Sequence, residues 1–273
     1  MPAPCFQEWV LPSGERWAQF FRAGSDYIVR FPKLADFKVS SDGRLVRCSP
    51  SASIPAEIIT HLYLNQVLPL ALSRQGALVF HASAVDIQGK GIAFVGNSGK
   101  GKSTLAASFA TNGFHFLTDD GLIVDLLDGQ HRIIPSHPSI RLWKDSEEFL
   151  VTKPATIGPR IHFNSKTRLL ANENVLFQDQ PRSLDGVYFL GANVPAETVF
   201  ERVRPAVALI ELVRNSFLLD LDEKESLAGH FEELSLLVSR PIFYRINHPR
   251  RYESLANVRR AIVEHATSAS RIA

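Results

Sequence analysis

A glycine-rich segment in the middle of this sequence has the spacing of a phosphate-binding loop. It reads Gly96-Asn97-Ser98-Gly99-Lys100-Gly101-Lys102-Ser103, which matches the P-loop (Walker A) pattern G-x-x-x-x-G-K-[ST]. Glycines let consecutive backbone N–H groups turn inward around phosphate oxygens, and the positive N-terminal end of a following helix adds to this attraction. In this pattern Lys102 reaches the β- and γ-phosphates, and the hydroxyl of Ser103 binds Mg²⁺. The segment, extended to Thr104, predicts a site for ATP and Mg²⁺.

Two adjacent carboxylates, Asp119 and Asp120, follow further along the chain. Phosphoryl transfer needs a metal ligand, and it usually needs a group that accepts the proton of the attacking hydroxyl. Like charges this close should raise one pKa, which favours one carboxylate as the base while the other faces the metal. We predict both as catalytic residues and Asp120, with Ser103, as a metal ligand. The sequence leaves open which aspartate is the base, and a solvated turn before Gly121 is the alternative interpretation.

His81 follows the apolar stretch 78–80, and its role is open from the sequence. A lone histidine at the end of an apolar strand is more often a buried structural residue than a catalytic one. We include it among the candidate catalytic residues together with the P-loop lysine.

Basic side chains beyond the acidic pair are candidates for contacts with substrate or phosphate. Each could neutralise charge on a transferring phosphoryl group or hold the acidic end of a peptide, and each could equally be a surface cation. These residues are Arg141, Lys144, Lys166 and Arg168. A second basic group near the C-terminus is predicted to form a solvated helix face. Its members are Arg250, Arg251, Arg259 and Arg260.

The composition is that of an ordinary globular protein. Of 273 residues 45% are hydrophobic, and 30 Lys and Arg oppose 28 Asp and Glu, so the net charge is +2. This charge gives no reason to expect nucleic acid or a membrane as a partner. Cys5 and Cys48 lack the spacing of a metal site or a disulfide scaffold, which favours the cytoplasm. The sequence shows no signal-peptide pattern and no apolar run long enough to span a bilayer.

Short apolar runs separated by turn signals predict antiparallel strands in the first ~50 residues. The apolar-rich segment after Pro55 predicts a helix that Pro69 should kink or shorten. We place a domain boundary near Gly76, so residues 1–75 form a β-rich and helical accessory region. Residues 76–273 form the predicted catalytic domain.

Strands are predicted at 77–83, 84–87 and 91–95, with a tight turn at 88–90, and a helix at 103–111 is predicted to end at Gly113. A true P-loop needs this order of strand, loop and helix. Further strands are predicted at 114–118, 121–127, 186–190 and 241–246, and helices at 223–239 and around 255–262. The fold class is therefore α/β, with a mixed sheet flanked by helices and a small N-terminal β-rich portion.

Three features in this order resemble the catalytic domain of HPr kinase/phosphorylase. They are the histidine-bearing stretch 81–85, the P-loop, and the stretch 112–120 that ends in the aspartate pair. The resemblance implies a fold shared with phosphoenolpyruvate carboxykinases and ATP-dependent transfer to a serine hydroxyl. It also implies that His81 forms a hydrogen bond near the acidic pair and that one of Asp119 and Asp120 is the base. HPr kinases assemble as hexamers, but the first ~75 residues here do not obviously match theirs, so that assembly is not carried over and a homo-oligomer is left open.

A later segment of the chain departs from the HPr kinases. Where they carry Glu-Ile-Arg-Gly-Leu-Gly, this chain has 133–143 with the pattern Pro-x-x-Pro-x-x-Arg-Leu-Trp. This pattern, with 67–72 and 78–85, resembles the related serine kinases found beside peptide-modification genes. Some of those kinases phosphorylate the C-terminal serine of a lasso precursor peptide. The resemblance implies a peptide or small protein as the phosphate acceptor.

Two other functions fit the same residues. A nucleotide-binding regulatory module would keep the P-loop and respond to ATP by a change of shape, without transferring phosphate. A small-molecule kinase would use the same chemistry on a different acceptor.

Overall fold

The computed structural model describes residues 4–11, 13–158 and 166–268, which divide into two compact units. One unit contains the described residues up to 77 together with 217–227, and the other contains 78–216 together with those from 228 onwards. The division after residue 77 lies close to the boundary that the sequence indicates. The sequence pattern did not predict the assignment of 217–227 to the first unit.

The first unit is an antiparallel meander followed by helices. Five strands within the described residues pair in chain order. They are β1 Cys5–Val10, β2 Arg16–Ala23, β3 Asp26–Phe31, β4 Ala35–Val39 and β5 Val46–Pro50. Alternate residues of β2, β3 and β4, among them Phe20, Val29 and Phe37, are fully or almost fully buried. The prediction of antiparallel strands in this region is confirmed.

The predicted helix after Pro55 consists of α1 Ala56–Leu62, a π-helical turn Tyr63–Val67, and α2 Leu68–Arg74. The N–H of Leu68 donates to the carbonyl of Tyr63, five residues back. Pro69 has no N–H and its ring disfavours a regular helix before it, which places the wider turn there. The predicted kink at Pro69 is therefore accommodated as a π-turn.

The second unit is built on one mixed sheet, formed by nine strands within the described residues. The order is β6-β10-β11-β15-β8-β7-β9, and β17 pairs with both β15 and β16. The strands are β6 Leu78–Phe80, β7 Ala82–Ile87, β8 Lys90–Val95, β9 His115–Thr118, β10 Leu122–Leu127, β11 Gln130–Ile134, β15 Arg182–Leu190, β16 Val199–Arg202 and β17 Phe243–Asn247. Among the strands described, the neighbours that run parallel are β8, β15 and β17, side by side in the order β8-β15-β17.

A smaller antiparallel sheet pairs β12 Ser139–Leu142, β14 Thr167–Leu170 and β13 Thr156–Ile157. Five helices accompany the two sheets within the described residues. They are α3 Lys102–Ala110, α4 Lys144–Leu150, α5 Pro205–Arg214, α6 Lys224–Val238 and α7 Leu255–Ser268. The small sheet and α4 were not predicted, because short segments of mixed polarity carry no clear periodicity. The apolar helix α5 was also missed, although its ten residues begin with a proline and are suited to a helix.

Helices cover both faces of the large sheet. On one face α3 and α7 pack through Phe109 and Ile262. On the other face α5 and α6 contribute Leu212, Leu234 and Leu237. Phe231 on α6 does not belong to this core, because its side chain is 42% exposed. The α/β class with a mixed sheet is confirmed.

Two predicted turns have the backbone that their residues favour. Gln88 and Gly89 both have positive φ, at 54° and 84°, in the tight hairpin between β7 and β8. Gly113, with φ of 87°, follows the end of α3 as a left-handed residue. Across the described ranges, none of the helices has both the length and the apolar character needed to cross a membrane.

Candidate active site

The glycine-rich loop joins β8 to α3, which is the strand, loop and helix order that the motif requires. Gly99 and Gly101 have φ of 80° and 92°, a conformation that glycine adopts without steric cost. Gly101 is the N-cap of α3 and has no side chain to bind the first-turn amides. Those N–H groups have no intrahelical acceptor, so they are suited to an anionic ligand.

Lys102 is the first residue of α3 and is buried. Its Nζ donates to the carbonyl of Gly96 at 2.6 Å and to that of Asn97 at 3.3 Å. Burial lowers the pKa of Lys102 to about 8, although the negative charges of Asp120 and Asp119 act to raise it. Within the described residues, this buried ammonium donates hydrogen bonds only to carbonyls of the loop. These bonds offset only part of the cost of burying the charge, and a phosphate would supply the missing negative charge.

Asp119 lies at the turn after β9 and is buried among hydrogen-bond donors. Its Oδ1 accepts from the hydroxyl of Ser83 at 2.6 Å, and its Oδ2 accepts from the backbone N–H of Arg141 at 2.9 Å. Burial raises the pKa of Asp119, as does the neighbouring Asp120, while hydrogen bonds from Arg141 and Ser83 and the nearby Ser103 hydroxyl oppose this rise. The influence of Ser103 on this pKa indicates that the acidic pair lies near the P-loop.

Asp120 has a left-handed backbone with φ of 65°. This conformation is uncommon outside glycine, although aspartate tolerates it better than most residues. Its Oδ2 accepts from the Nη1 of Arg141 at 2.8 Å. Burial by itself would raise the pKa of Asp120, but the surrounding cations, with Arg141 foremost, lower it to about 2. The pKa of Asp119 is therefore raised and that of Asp120 is lowered, so the two carboxylates differ in how readily they bind a proton.

His81 lies next to the acidic pair. Its Nδ1 is 3.2 Å from the backbone carbonyl of Asp120, and its backbone N–H donates to the carbonyl of Asn215 at 2.7 Å. Burial, with Lys102 second, lowers the pKa of His81 to about 4. The imidazole is therefore neutral near pH 7, and its ring is positioned to hold the turn that carries the carboxylates.

The four candidate basic residues separate into two pairs. Arg141 and Lys166 line the same cleft as Lys102 and Asp120, and the Nζ of Lys166 lies 5.5 Å from the ring centre of Trp143. Lys144 is exposed and its Nζ is 3.6 Å from Glu148. The guanidinium of Arg168 is 2.6 Å from the ring of His137 and also contacts Ser139. Neither Lys144 nor Arg168 is among the residues that line the cleft.

The cleft has a volume of about 260 Å³ and extends along the start of α3. Its lining combines the P-loop with His81, Asp120, Arg141, Trp143 and Lys166. The lining also includes a C-terminal segment that the sequence did not indicate as part of the site. Its lining residues are His248, Pro249, Arg250, Arg251, Tyr252 and Leu255.

The prediction of a solvated arginine face is wrong for Arg250 and Arg259. Arg250 precedes α7 and is half-buried, where it donates to the carbonyls of Lys100 and, at 2.7 Å, Gly191. Arg259 lies on α7 and donates to the hydroxyl of Ser108 in α3 at 2.8 Å. Arg250 thus fastens the P-loop to the end of β15. Because 150 residues separate it from Lys100, no local sequence signal could have indicated this contact.

A hydrogen-bonded network spans the cleft beside the P-loop. The hydroxyl of Thr104 is 3.2 Å from that of Ser146, which is 2.9 Å from the hydroxyl of Tyr252. The Tyr252 hydroxyl also donates to Asp145 at 2.8 Å. The network joins the first turns of α3 and α4 to the segment before α7, so it fixes the width of the cleft.

Comparisons with known proteins found distant likenesses among solved structures. No family model matches the chain, and no curated protein matches it in sequence. Among solved structures, the Hpr(Ser) kinase/phosphatase from Coxiella burnetii is similar over 70% of this chain and 98% of that chain. The sequence identity is 11% and the TM-score is 0.38. A likeness this distant decides nothing about activity, and the function proposed below rests on the geometry of the cleft.

Proposed function

We propose that this protein is a Mg·ATP-dependent kinase that transfers the γ-phosphoryl group to a serine hydroxyl of a peptide or small protein. The C-terminal serine of a lasso precursor peptide is the acceptor that the sequence resemblance favours. The observation that carries the proposal is that the P-loop and the aspartate pair share one site. Lys102, Ser103 and Asp120 line the same cleft, and the charges of both aspartates act on Lys102.

The residues around Ser103 fit a magnesium ion. Mg²⁺ bound with a nucleotide needs only one or two protein oxygens, because phosphates and water supply the rest. The Ser103 side chain lies near enough to Asp119 to help lower the pKa of that carboxyl, so the two residues could hold the ion together. The described residues contain no cluster of three or more metal-ligating side chains, which is consistent with a metal that arrives with its nucleotide. When bound, Mg²⁺ would neutralise charge on the β- and γ-phosphates.

The positions of the two aspartates favour different roles. Asp119 is surrounded by donors and lies outside the lining of the cleft, which suits a metal ligand rather than a group that meets the acceptor. Asp120 lines the cleft, so its carboxylate is the one that can meet an incoming hydroxyl. With a pKa of about 2 it is ionised at neutral pH and can accept a hydrogen bond from that hydroxyl. This assigns the metal to Asp119, where the sequence indicated Asp120.

Cations around Asp120 would stabilise the transferring group. Lys102 belongs to the P-loop and would meet the phosphates, and Arg141 and Lys166 lie near Asp120 in the same cleft. Charge-assisted hydrogen bonds from such groups are the main source of catalysis in phosphoryl transfer. The exposed Trp143 beside Lys166 offers apolar surface to the acceptor next to this charge.

The proposal is tested by incubating the purified protein with Mg·ATP and peptides that end in serine, followed by mass spectrometry. We expect a product heavier by one phosphoryl group, absent when the acceptor serine is alanine. Asp119→Asn and Asp120→Asn should abolish the product. Asp125→Asn, at an exposed carboxylate on β10, serves as the matched control and should not change the yield.

Other outcomes separate the alternatives. Nucleotide binding without any phosphorylated product would favour a regulatory module. Phosphorylation of free serine or a related metabolite, with no reaction on peptides, would favour a small-molecule kinase. ADP release that neither aspartate variant changes would contradict the catalytic assignment.

A further inference from the structure

The C-terminal part of the cleft lining has a different character from the residues around Asp120. It combines an aromatic ring and apolar side chains from Tyr252, Pro249 and Leu255. The start of α3 adjoins both groups, because Thr104 is linked through Ser146 to Tyr252 and Lys102 is attracted by Asp120. A triphosphate bound at the P-loop with its γ-phosphorus towards Asp120 would leave the C-terminal group for the rest of the nucleotide.

Tyr252 is held in place before any ligand arrives. Its hydroxyl bonds to Ser146 and Asp145, and its ring stacks on Phe149 with the ring centres 5.1 Å apart. Since Ser146 also contacts Thr104 at the start of α3, the ring has a fixed position relative to the P-loop. A ring held in this way loses little conformational entropy when a flat ligand packs against it.

His248 adds a polar group that suits a nucleoside rather than a phosphate. It lines the cleft and is 4% exposed, and its Nε2 has no hydrogen-bond partner within the described ranges. The Nδ1 is 2.8 Å from the carbonyl of Pro249, an acceptor, so Nδ1 carries the proton. Burial lowers the pKa of His248, so the neutral ring presents Nε2 as an acceptor. Ribose hydroxyls and base amino groups donate hydrogen bonds, whereas ionised phosphates do not.

We propose that the segment 248–255 is the nucleoside subsite of this cleft. The base packs against Tyr252 and Leu255, and a small shift of the His248 ring, whose Nε2 is buried and unpaired within the described residues, lets this atom accept a hydrogen bond from the nucleoside. The inference rests on the proposed function, because it takes the P-loop as the triphosphate site. It assigns a binding role to a segment that carries no sequence motif.

The test compares two ligands that differ only in the nucleoside, Mg·ATP and magnesium tripolyphosphate, by isothermal titration. Contacts of one base with an aromatic ring are worth enough that Tyr252→Ala should weaken Mg·ATP binding by about 10-fold or more. Affinity for tripolyphosphate should stay within about 2-fold of the wild type. Tyr252→Phe, which keeps the ring, should retain Mg·ATP affinity to within about 3-fold.

Two further variants sharpen the result. His248→Ala should also weaken Mg·ATP and spare tripolyphosphate. Phe231→Ala removes an exposed aromatic outside the cleft and should change neither affinity. Thermal melting of each variant shows whether it is folded.

The outcomes distinguish this inference from the function on which it rests. If the wild type bound neither ligand, the P-loop assignment would fail and the subsite with it. If both ligands bound and Tyr252→Ala weakened them equally, or weakened neither, the subsite would be overturned while the kinase proposal stood. A loss of Mg·ATP affinity in Tyr252→Phe as large as in Tyr252→Ala would also overturn it, because the hydroxyl network would then be the cause.

Discussion

Replacing Lys102 by methionine should make the ligand-free protein more stable while removing its affinity for nucleotide. The lysine is 5% exposed, and its charge is taken out of water without a carboxylate in direct contact. In an enzyme that binds phosphate at this loop, the buried charge of Lys102 is unfavourable until a phosphate pairs with it. Methionine has a similar length and no charge, so it removes both the free-energy cost of the buried charge and the contact with phosphate.

The size of the effect follows from the pKa. Burial lowers the pKa of Lys102 from 10.5 to about 8, and each unit corresponds to about 1.4 kcal/mol. The charged lysine therefore destabilises the folded state by about 3 kcal/mol. Methionine gives up the hydrogen bonds to Gly96 and Asn97, whose loss costs about 1–2 kcal/mol. The net gain in the free energy of unfolding is about 1–2 kcal/mol, which is several degrees in melting temperature.

The stability difference between the two proteins should depend on pH in a way that identifies the charge of Lys102 as its cause. Since the folded protein releases this proton near pH 8 and the unfolded chain near 10.5, the unfolded chain binds more protons between these values. The stability of the wild type therefore rises with pH across this window. The advantage of the methionine variant is complete below pH 8 and shrinks as the pH approaches 10.5.

Thermal melting of both proteins at pH 7 and pH 9.5, with and without Mg·ATP, measures the stability difference, its dependence on pH and the binding of nucleotide. We expect Mg·ATP to raise the melting temperature of the wild type alone, because only a protein that binds the ligand gains from it. A methionine variant that is less stable than the wild type at pH 7 would refute the reasoning. So would a stability difference that is the same at both pH values.

Three more predictions follow from the site. Asp120→Asn should reduce turnover by about 100-fold or more while Mg·ATP affinity, measured by titration, stays within a few-fold; a loss of binding alone would contradict the base assignment. Because the pKa of His81 is about 4, the rate profile between pH 5.5 and 8 should show no limb from this group, and His81→Ala should lower the rate without changing the profile. Arg250→Gln should raise the KM for ATP by about 10-fold through a looser P-loop, whereas the exposed Arg260→Gln should not; equal values would remove the positioning role.

The sequence predicted the parts of the site whose signals are local. The P-loop pattern, the strand before it and the helix after it lie within one short segment, and the structure has them in that order. Asp119 and Asp120 follow directly on β9, which pairs with β7. The end of a helix also has a local signal, because glycine adopts the left-handed conformation without steric cost. Gly113 was therefore predicted correctly as the left-handed residue after α3.

The parts that were missed depend on contacts between distant segments. Arg250 reaches Lys100 and Gly191 only because β17 lies parallel to β15, which brings the end of β17 to the same edge of the sheet as the P-loop. The order of the strands is a property of the whole fold and not of any one segment. The same reason explains why Tyr252 was not recognised, since its partners Ser146 and Asp145 belong to a short helix without clear periodicity.

The most direct measurement is a crystal structure with Mg²⁺ and a non-hydrolysable ATP analogue. The account predicts the β- and γ-phosphates about 3 Å from the loop amides and from the Nζ of Lys102, which leaves the carbonyl of Gly96 to reach them. It also predicts the metal beside Ser103 and the γ-phosphorus on the side of Asp120. A nucleotide bound away from this loop, or a Lys102 that keeps its contact with Gly96 beside a bound triphosphate, would contradict it.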